Sequence, residues 1–162
     1  MKNCFKTARN CWVASESMEV VYATHPLVHN IFVHGTPEER DLIAIVSPER
    51  EPFTKWAQKY LSNSAGGKAA KIQLSFEDVC SNKAVCKAFV AELQHHAFKN
   101  NLLPEEHIAA VHCDPTPFEH SSGGLFTSTL KLRRNIATKF YKMILGQLFA
   151  EVDNKETPSI PQ

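Results

Sequence analysis

The sequence predicts an α+β domain with a small three-stranded sheet and helices packed against it, and three observations predict it. Two β-rich runs, residues 28–34 (VHNIFVH) and 42–46 (LIAIV), stand close together around a Gly35-Thr36-Pro37 break. A third run, 107–113 (HIAAVHC), comes only after two helical stretches. Strands and helices alternate without long parallel crossovers, which favours an α+β sandwich over a doubly wound sheet.

Taken in order, residues 17–23 place Met18, Val21 and Tyr22 on one helical face. Residues 28–34 and 42–46 pair as a hairpin, the second run apolar throughout, as in a strand covered on both faces. Pro52 suits a helix start, and Phe53, Trp56, Ala57 and Tyr60 follow at helical spacing. Residues 62–67 (SNSAGG) read as a flexible connection. At Ser75 a hydroxyl three residues before Asp78 makes a capping box. The stripe Val85, Ala88, Phe89, Leu93 and Ala97 continues that helical region past a break near Ser81, and Asn100 and Asn101 stop it. The last helix carries Ile136, Phe140, Ile144 and Leu148, with Asn135 as its cap. Beyond Asp153 the polar, Pro-broken tail predicts disorder.

Composition bounds the chemistry. With 43% hydrophobic residues, the 162-residue chain can bury a core. Its 18 basic and 17 acidic residues leave a net charge of +1, so no global field captures nucleic acid and any anion site must be local. No apolar run approaches the roughly 20 residues of a membrane span. The basic start 1–10 has no apolar stretch after it, and five irregularly spaced cysteines suit free thiols. An intracellular protein is expected, cytoplasmic or on the cytoplasmic face of a membrane.

Most candidate motifs dissolve on inspection. Gly66-Gly67-Lys68 is no phosphate loop, since Ser62 stands where the first glycine belongs and Ala69 where a metal-binding hydroxyl belongs. None of the eight histidines lies in an HExxH pattern, and no cysteine pair has CxxC spacing, so no metal site is expected. Residues 124–134 (GLFTSTLKLRR) differ. A glycine approach and a run of hydroxyls lead to Lys131, Arg133 and Arg134, just before a helix N-terminus whose amides favour anions. By residue type alone this is either a local phosphate or carboxylate site or a solvated basic helix start.

Three stretches, in order, resemble the C-terminal domain of long-chain acyl-CoA synthetases of the adenylate-forming superfamily. Residues 2–16 resemble its hinge, glycine loop and helix start; residues 31–35 and 42–48 resemble its hairpin; residues 124–134 match its Gly-Leu-Leu-Thr-Pro-Thr-Leu-Lys-Leu-Lys-Arg motif. The resemblance implies that the sheet and helices form a lid domain preceded by a short N-terminal hairpin or loop. It divides the chain into a hinge and CoA-side loop (1–16), the lid (17–150) and a disordered tail (151–162). It makes Lys131 the adenylation lysine, places Asn10, Cys11, Trp12, Arg133 and Arg134 against cofactor, and puts the hinge at Lys2. ATP with Mg, CoA and a fatty acid are the implied substrates, none held tightly by this chain. Asn10 stands in place of the loop glycine, Ser128 and Asn135 in place of prolines.

The family's ATP loop, adenine-binding segment, Mg-binding acid and fatty-acid tunnel are not detectable here. The chain is therefore expected to be a piece separated from an N-terminal adenylation domain and inactive alone. The alternative is a stand-alone, non-catalytic remnant that binds a partner or an acyl-CoA-like anion.

Overall fold

The computed structural model describes residues 4–7, 10, 12–39, 41–64 and 74–156. Two short strands come first, β1 (Cys4–Lys6) and β2 (Trp12–Ala14), paired antiparallel with Lys6 opposite Trp12. Helix α1 (Ser15–Ala23) follows at once and buries Met18 and Tyr22, two of the three residues expected on its inner face. Then β3 (Val28–His34) and β4 (Leu42–Pro48) form the antiparallel hairpin that the Gly-Thr-Pro break implies.

The third strand, β5 (Ile108–Cys113), pairs with the other side of β4 and runs parallel to it. This corrects one expectation, because a long parallel crossover is present. Helices α2 (Arg50–Ser64), α3 (Phe76–Ser81) and α4 (Lys83–Lys99) lie within it. Parallel strands cannot be joined by a tight turn, so the two helical stretches between the runs are that crossover. The sheet is mixed and the class remains α+β.

The apolar run of β4 sits at the centre. Leu42, Ala44 and Val46 point into one core with Met18, Phe53 and Phe89, while Ile43 and Ile45 point into the other with Leu125 and Tyr141. Both faces are covered, so alternation of polar and apolar residues disappears there. Each fully buried Leu, Ile or Val adds roughly 1.5–3 kcal/mol of transfer free energy. That makes β4 the element that fixes the two helical layers relative to each other.

Caps explain the crossover's breaks. Asp78 N–H donates to Ser75 Oγ at 3.1 Å and Ser75 N–H donates to Asp78 Oδ2 at 3.3 Å, the reciprocal box read from the sequence. Asn82 then caps α4, its Oδ1 accepting from Ala84 and Val85 amides at 2.9 and 3.2 Å. Asn101, at φ 63°, ends the run in the left-handed region that Asn tolerates. Helix α2 begins at Arg50, two residues before Pro52, which occupies the first turn where no intrahelical N–H is needed. It reaches Ser64, three residues into the expected connection, and Gly66, Gly67 and Lys68 lie outside the described residues.

The C-terminal helical region differs from expectation in four ways. It divides into α5 (Arg134–Phe140) and α6 (Lys142–Glu156). Its cap position is Arg133 rather than Asn135, because the Arg133 carbonyl already accepts the Ala137 amide at 2.8 Å. Its buried stripe is Ala137, Tyr141, Leu145, Leu148 and Val152, one step round from the Ile136–Phe140–Ile144 face. The Tyr141 hydroxyl donates to Asp114 Oδ2 at 2.7 Å, which holds that ring inward and leaves Phe140 partly exposed. Helix α6 also continues three residues past Asp153, and residues 157–162 lie outside the described ones.

Candidate functional site

Residues 124–134 fold as a small two-legged loop that stands on the Ile43/Ile45 side of the sheet. Leu125 is the foot of one leg, buried at 1% exposure, and Phe126 beside it packs on Phe118 at 6.2 Å between ring centroids. Phe126 and Leu132 form an antiparallel bridge. The legs are closed at the base by the Arg133 amide donating to the Leu125 carbonyl at 2.7 Å. Above the bridge, the Thr127 amide donates to the Lys131 carbonyl at 2.8 Å and the Leu130 amide donates to the Thr127 carbonyl at 2.9 Å.

Thr127 is the organiser of the tip, a role that residue type did not single out. Its hydroxyl oxygen accepts from the Lys131 amide at 3.1 Å and shares a hydrogen bond with the Thr129 hydroxyl at 3.1 Å. The geometry forces Leu130 to φ 61°, left-handed for a branched side chain, and leaves it 73% exposed. Such backbone costs of order 1–2 kcal/mol and is kept where the surrounding bonds over-determine it. Lys131 follows, exposed, and its ammonium has neither a hydrogen-bond nor an ion-pair partner among the described residues. A cation is thus carried on a braced, exposed loop tip with no ion-pair partner among the described residues.

The two arginines behave differently from each other. Arg133 is exposed and its Nη1 donates to the Gly124 carbonyl at 3.3 Å, so it stays beside the loop, with no ion-pair partner among the described residues. Gly124 has φ 62°, the conformation glycine supplies without strain. Arg134 turns inward. Its guanidinium pairs with the Glu19 carboxylate of α1, lies 5.8 Å from the centroid of Phe32, and both partners are mostly covered, at 20% and 13% exposure. Glu19 Oε2 also accepts the Val33 amide at 2.8 Å. Burial pushes the Glu19 carboxyl above its ordinary range, opposed by Arg134 and the Val33 amide. Arg134 therefore joins α1, β3 and α5, and the loop's open cations are Lys131 and Arg133.

A second candidate region stands on the opposite core. The β1–β2 hairpin is rooted by Val13, which is buried with Met18 and Phe89. Its turn contains Asn10 at φ 66°, with the Asn10 amide donating to the Thr7 carbonyl at 2.9 Å. The loop geometry that glycine would take is thus present with Asn in its place. Trp12 projects at 70% exposure. Cys11 and Lys2 lie outside the described residues. The Lys131 loop and the Asn10 turn are thus rooted in different cores, on different faces of one sheet.

Among the described residues, no group of three or more His, Cys, Asp or Glu side chains could hold a metal ion, and no helix is long and apolar enough to cross a membrane. Cys4, Cys80, Cys86 and Cys113 are free thiols.

Comparison with known proteins places this architecture. No protein-family profile matches the chain. It is 34% identical over 151 residues to long chain acyl-CoA synthetase 2 of Arabidopsis thaliana, an alignment covering 93% of this chain and 21% of that protein. It is 30% identical over 152 residues to long-chain-fatty-acid–CoA ligase 5 of Rattus norvegicus, covering 94% of this chain and 21% of that one. The fold superposes on the A domain of a carboxylic acid reductase from Segniliparus rugosus, solved with AMP and a co-purified carboxylic acid. The TM-score is 0.71 at 25% identity, over 93% of this chain and 20% of that one. The adenylation domain of a Mycobacterium chelonae carboxylate reductase gives 0.68 at 27% identity, over 91% of this chain and 19% of that one.

The fold and these relatives define the C-terminal domain of an adenylate-forming, AMP-producing enzyme. Within that class the chain belongs with the C-terminal domains of the long-chain acyl-CoA synthetases. It spans about a fifth of the length of the relatives it matches.

Proposed function

We propose that this domain is the swinging lid of a long-chain fatty acid–CoA ligase and that Lys131 is its adenylation lysine. The observation that carries the reading is the exposed ammonium of Lys131, without an ion-pair partner among the described residues, on a loop whose backbone is fixed by Thr127. In the first half-reaction a fatty acid carboxylate attacks the ATP α-phosphorus, the bond to the β,γ-phosphates breaks, and acyl-AMP and pyrophosphate form. Negative charge builds on the α-phosphoryl oxygens and the acyl carboxylate. A fixed point cation delivered there into a closed site lowers that barrier. Mg would accompany the ATP, held by the N-terminal adenylation domain and not by residues described here.

Arg133 reinforces the local positive potential, whereas Arg134 is engaged with Glu19 and supports the loop from beneath. In the second half-reaction the CoA thiol attacks the acyl carbonyl and AMP leaves. Rooting Lys131 and the Asn10–Trp12 turn in opposite cores suits a rigid-body rotation that exchanges one for the other at a single cleft. The hinge for that rotation falls at Lys2. The partner is the N-terminal domain that binds ATP and fatty acid. A lid without that domain lacks the converging donors of a nucleotide site, so this chain alone is inactive.

The test uses the complete ligase. Lys131→Ala should slow acyl-AMP formation by roughly 10²–10³-fold, the scale of losing one preorganised charge-stabilising group. Thioester formation from supplied acyl-AMP should be nearly unchanged. Equal loss in both half-reactions, or loss in neither, overturns the assignment. If the isolated chain binds a CoA thioester tightly while Lys131→Ala is silent, the non-catalytic alternative holds.

A further inference from the structure

Away from Lys131, on the outer edge of the sheet, three cysteines converge. Among the described residues β5 has a strand neighbour on one side, β4, and on the side of α4 the Gln94 side chain donates to the Ile108 carbonyl at 2.8 Å. Along its other side, between α4 and α6, runs a groove of about 650 Å³ whose lining includes Cys80, Cys86, Lys83, Lys87 and His112. Cys86, in the second turn of α4, is partly exposed to it, while Cys113 ends β5 and is buried. The two sulfurs are 3.8 Å apart. Cys86 Sγ also lies 3.4 Å from the Cys80 carbonyl.

We propose that Cys86 and Cys113 form a peroxide-oxidisable thiol pair, Cys86 attacking from the groove and Cys113 resolving from the core. A sulfur–sulfur contact of 3.8 Å needs only side-chain rotation and a small backbone shift to reach bonding distance near 2.05 Å. The roles follow from the environments. The contact with the Cys113 sulfur holds Cys86 below the ordinary thiol range, against its burial. That same contact, with burial next, pushes Cys113 well above it. Burial pushes Cys80 up to about 12. The groove thus reaches Cys86, the one of the three whose thiol is not pushed up, and its buried neighbour Cys113 is 3.8 Å away as the resolving thiol.

The chemistry balances with a hydroperoxide as oxidant. The Cys86 thiolate attacks one peroxide oxygen; the S–O bond forms, the O–O bond breaks, and hydroxide leaves as water after taking a proton. Cys113 then loses its proton and attacks the Cys86 sulfenic sulfur; the S–S bond forms, the S–O bond breaks, and a second water leaves. Two thiols supply two electrons, and one peroxide is reduced to two waters. The resulting bridge would tie the start of α4 to the end of β5, beside the Asp114 carboxylate that holds Tyr141.

The experiment exposes the folded 162-residue chain to hydrogen peroxide, blocks remaining thiols, and maps peptides without reduction. The expected product is a Cys86–Cys113 linked peptide that dithiothreitol dissolves. In Cys113→Ser, Cys86 should instead accumulate as a sulfenic acid trapped by dimedone. In Cys86→Ser, oxidation of Cys113 should slow at least ten-fold. The unmodified chain tests the pairing even where a variant folds poorly. Recovery of Cys86 and Cys113 both alkylated while Cys4 is oxidised, or a bridge from Cys86 to Cys80, overturns the proposal.

Discussion

The Arg134 guanidinium is paired with the Glu19 carboxylate across 115 residues of sequence, above the ring of Phe32. The pair is asymmetric in what it tolerates. Burial raises the Glu19 pKa despite Arg134, so a neutral side chain there is easily accommodated. Glu19→Gln keeps an acceptor for the Val33 amide and should cost about 1 kcal/mol or less. Arg134→Ala strands a covered carboxylate and should cost roughly 3–5 kcal/mol near neutral pH. Protonating the stranded group relieves that cost, so the deficit shrinks on acidification. Chemical denaturation of both variants at two pH values measures this. Equal, pH-independent losses would show that the pair contributes only packing.

Lys131 and Leu125 divide the loop into a working tip and a structural foot. Removing the exposed ammonium leaves every described contact of the loop in place, so Lys131→Ala should change stability by no more than about 0.5 kcal/mol. Leu125→Ala empties a buried position and should cost roughly 2–5 kcal/mol. Thermal melts of the two variants decide it. A large loss from Lys131→Ala would mean that the lysine serves the fold rather than a cleft.

Leu130 offers a sharper probe of how stiff the tip must be. Its left-handed backbone costs about 1–2 kcal/mol as a non-glycine, and its exposed side chain returns little burial. Glycine relieves that strain but adds about 0.5–1 kcal/mol of unfolded-state entropy. The balance predicts a gain of about 0.5–1 kcal/mol for Leu130→Gly. In the complete ligase the same variant should slow adenylation several-fold, because a looser tip positions the ammonium less well. A variant less stable than the parent would place an unrecognised packing role on Leu130.

At Gly123 the limit is space rather than backbone angle. A methyl group there would stand 2.5 Å from Phe140 Cδ2. Gly123→Ala should therefore cost roughly 1–3 kcal/mol. Phe140 is partly exposed and can be cut back, so Gly123→Ala with Phe140→Ala should lose less than the sum of the single changes. Strict additivity would show that the ring is not the obstacle.

Much of this was legible in the amino-acid order. The β3–β4 hairpin, the Ser75 box and the α4 stripe are local, and each rests on residues a few positions apart. The parallel placement of β5 was not legible, since nothing in 107–113 states which edge of β4 it joins. The face of the last helix is not legible either, because Ile136, Phe140 and Ile144 share a stripe as apolar as the buried one. The choice was made by a long-range bond, Tyr141 to Asp114. The same applies to the site. The Lys131 motif is visible as a run of residues, whereas its internal brace at Thr127 and the diversion of Arg134 to Glu19 require the fold.

His29 supplies the last prediction, in a region that steadies the approach to the loop. It stands 3.1 Å from Glu49 and in hydrogen-bonding contact with Glu119, just ahead of the loop. The bond to Glu119 raises the His29 pKa above its ordinary value; burial opposes this and Glu49 adds to it. Burial alone would raise Glu119, yet its bond to His29 brings that carboxyl below the usual range. A raised histidine pKa stabilises the fold fully below the unfolded value, about 6.5, and loses that contribution as pH rises through the folded value. A depressed carboxyl contributes above its unfolded value, about 4.3, and loses it as pH falls through the folded one. The pair should therefore stabilise most between about pH 4.3 and 6.5. The advantage of the parent over Glu119→Gln should fade as pH rises through the raised folded value of His29. An NMR titration of the His29 ring should show a pKa above the ordinary value in the parent and a downward shift in Glu119→Gln. A parent ring that titrates at or below 6.5, or a stability difference that grows with rising pH, would remove the pair from the account.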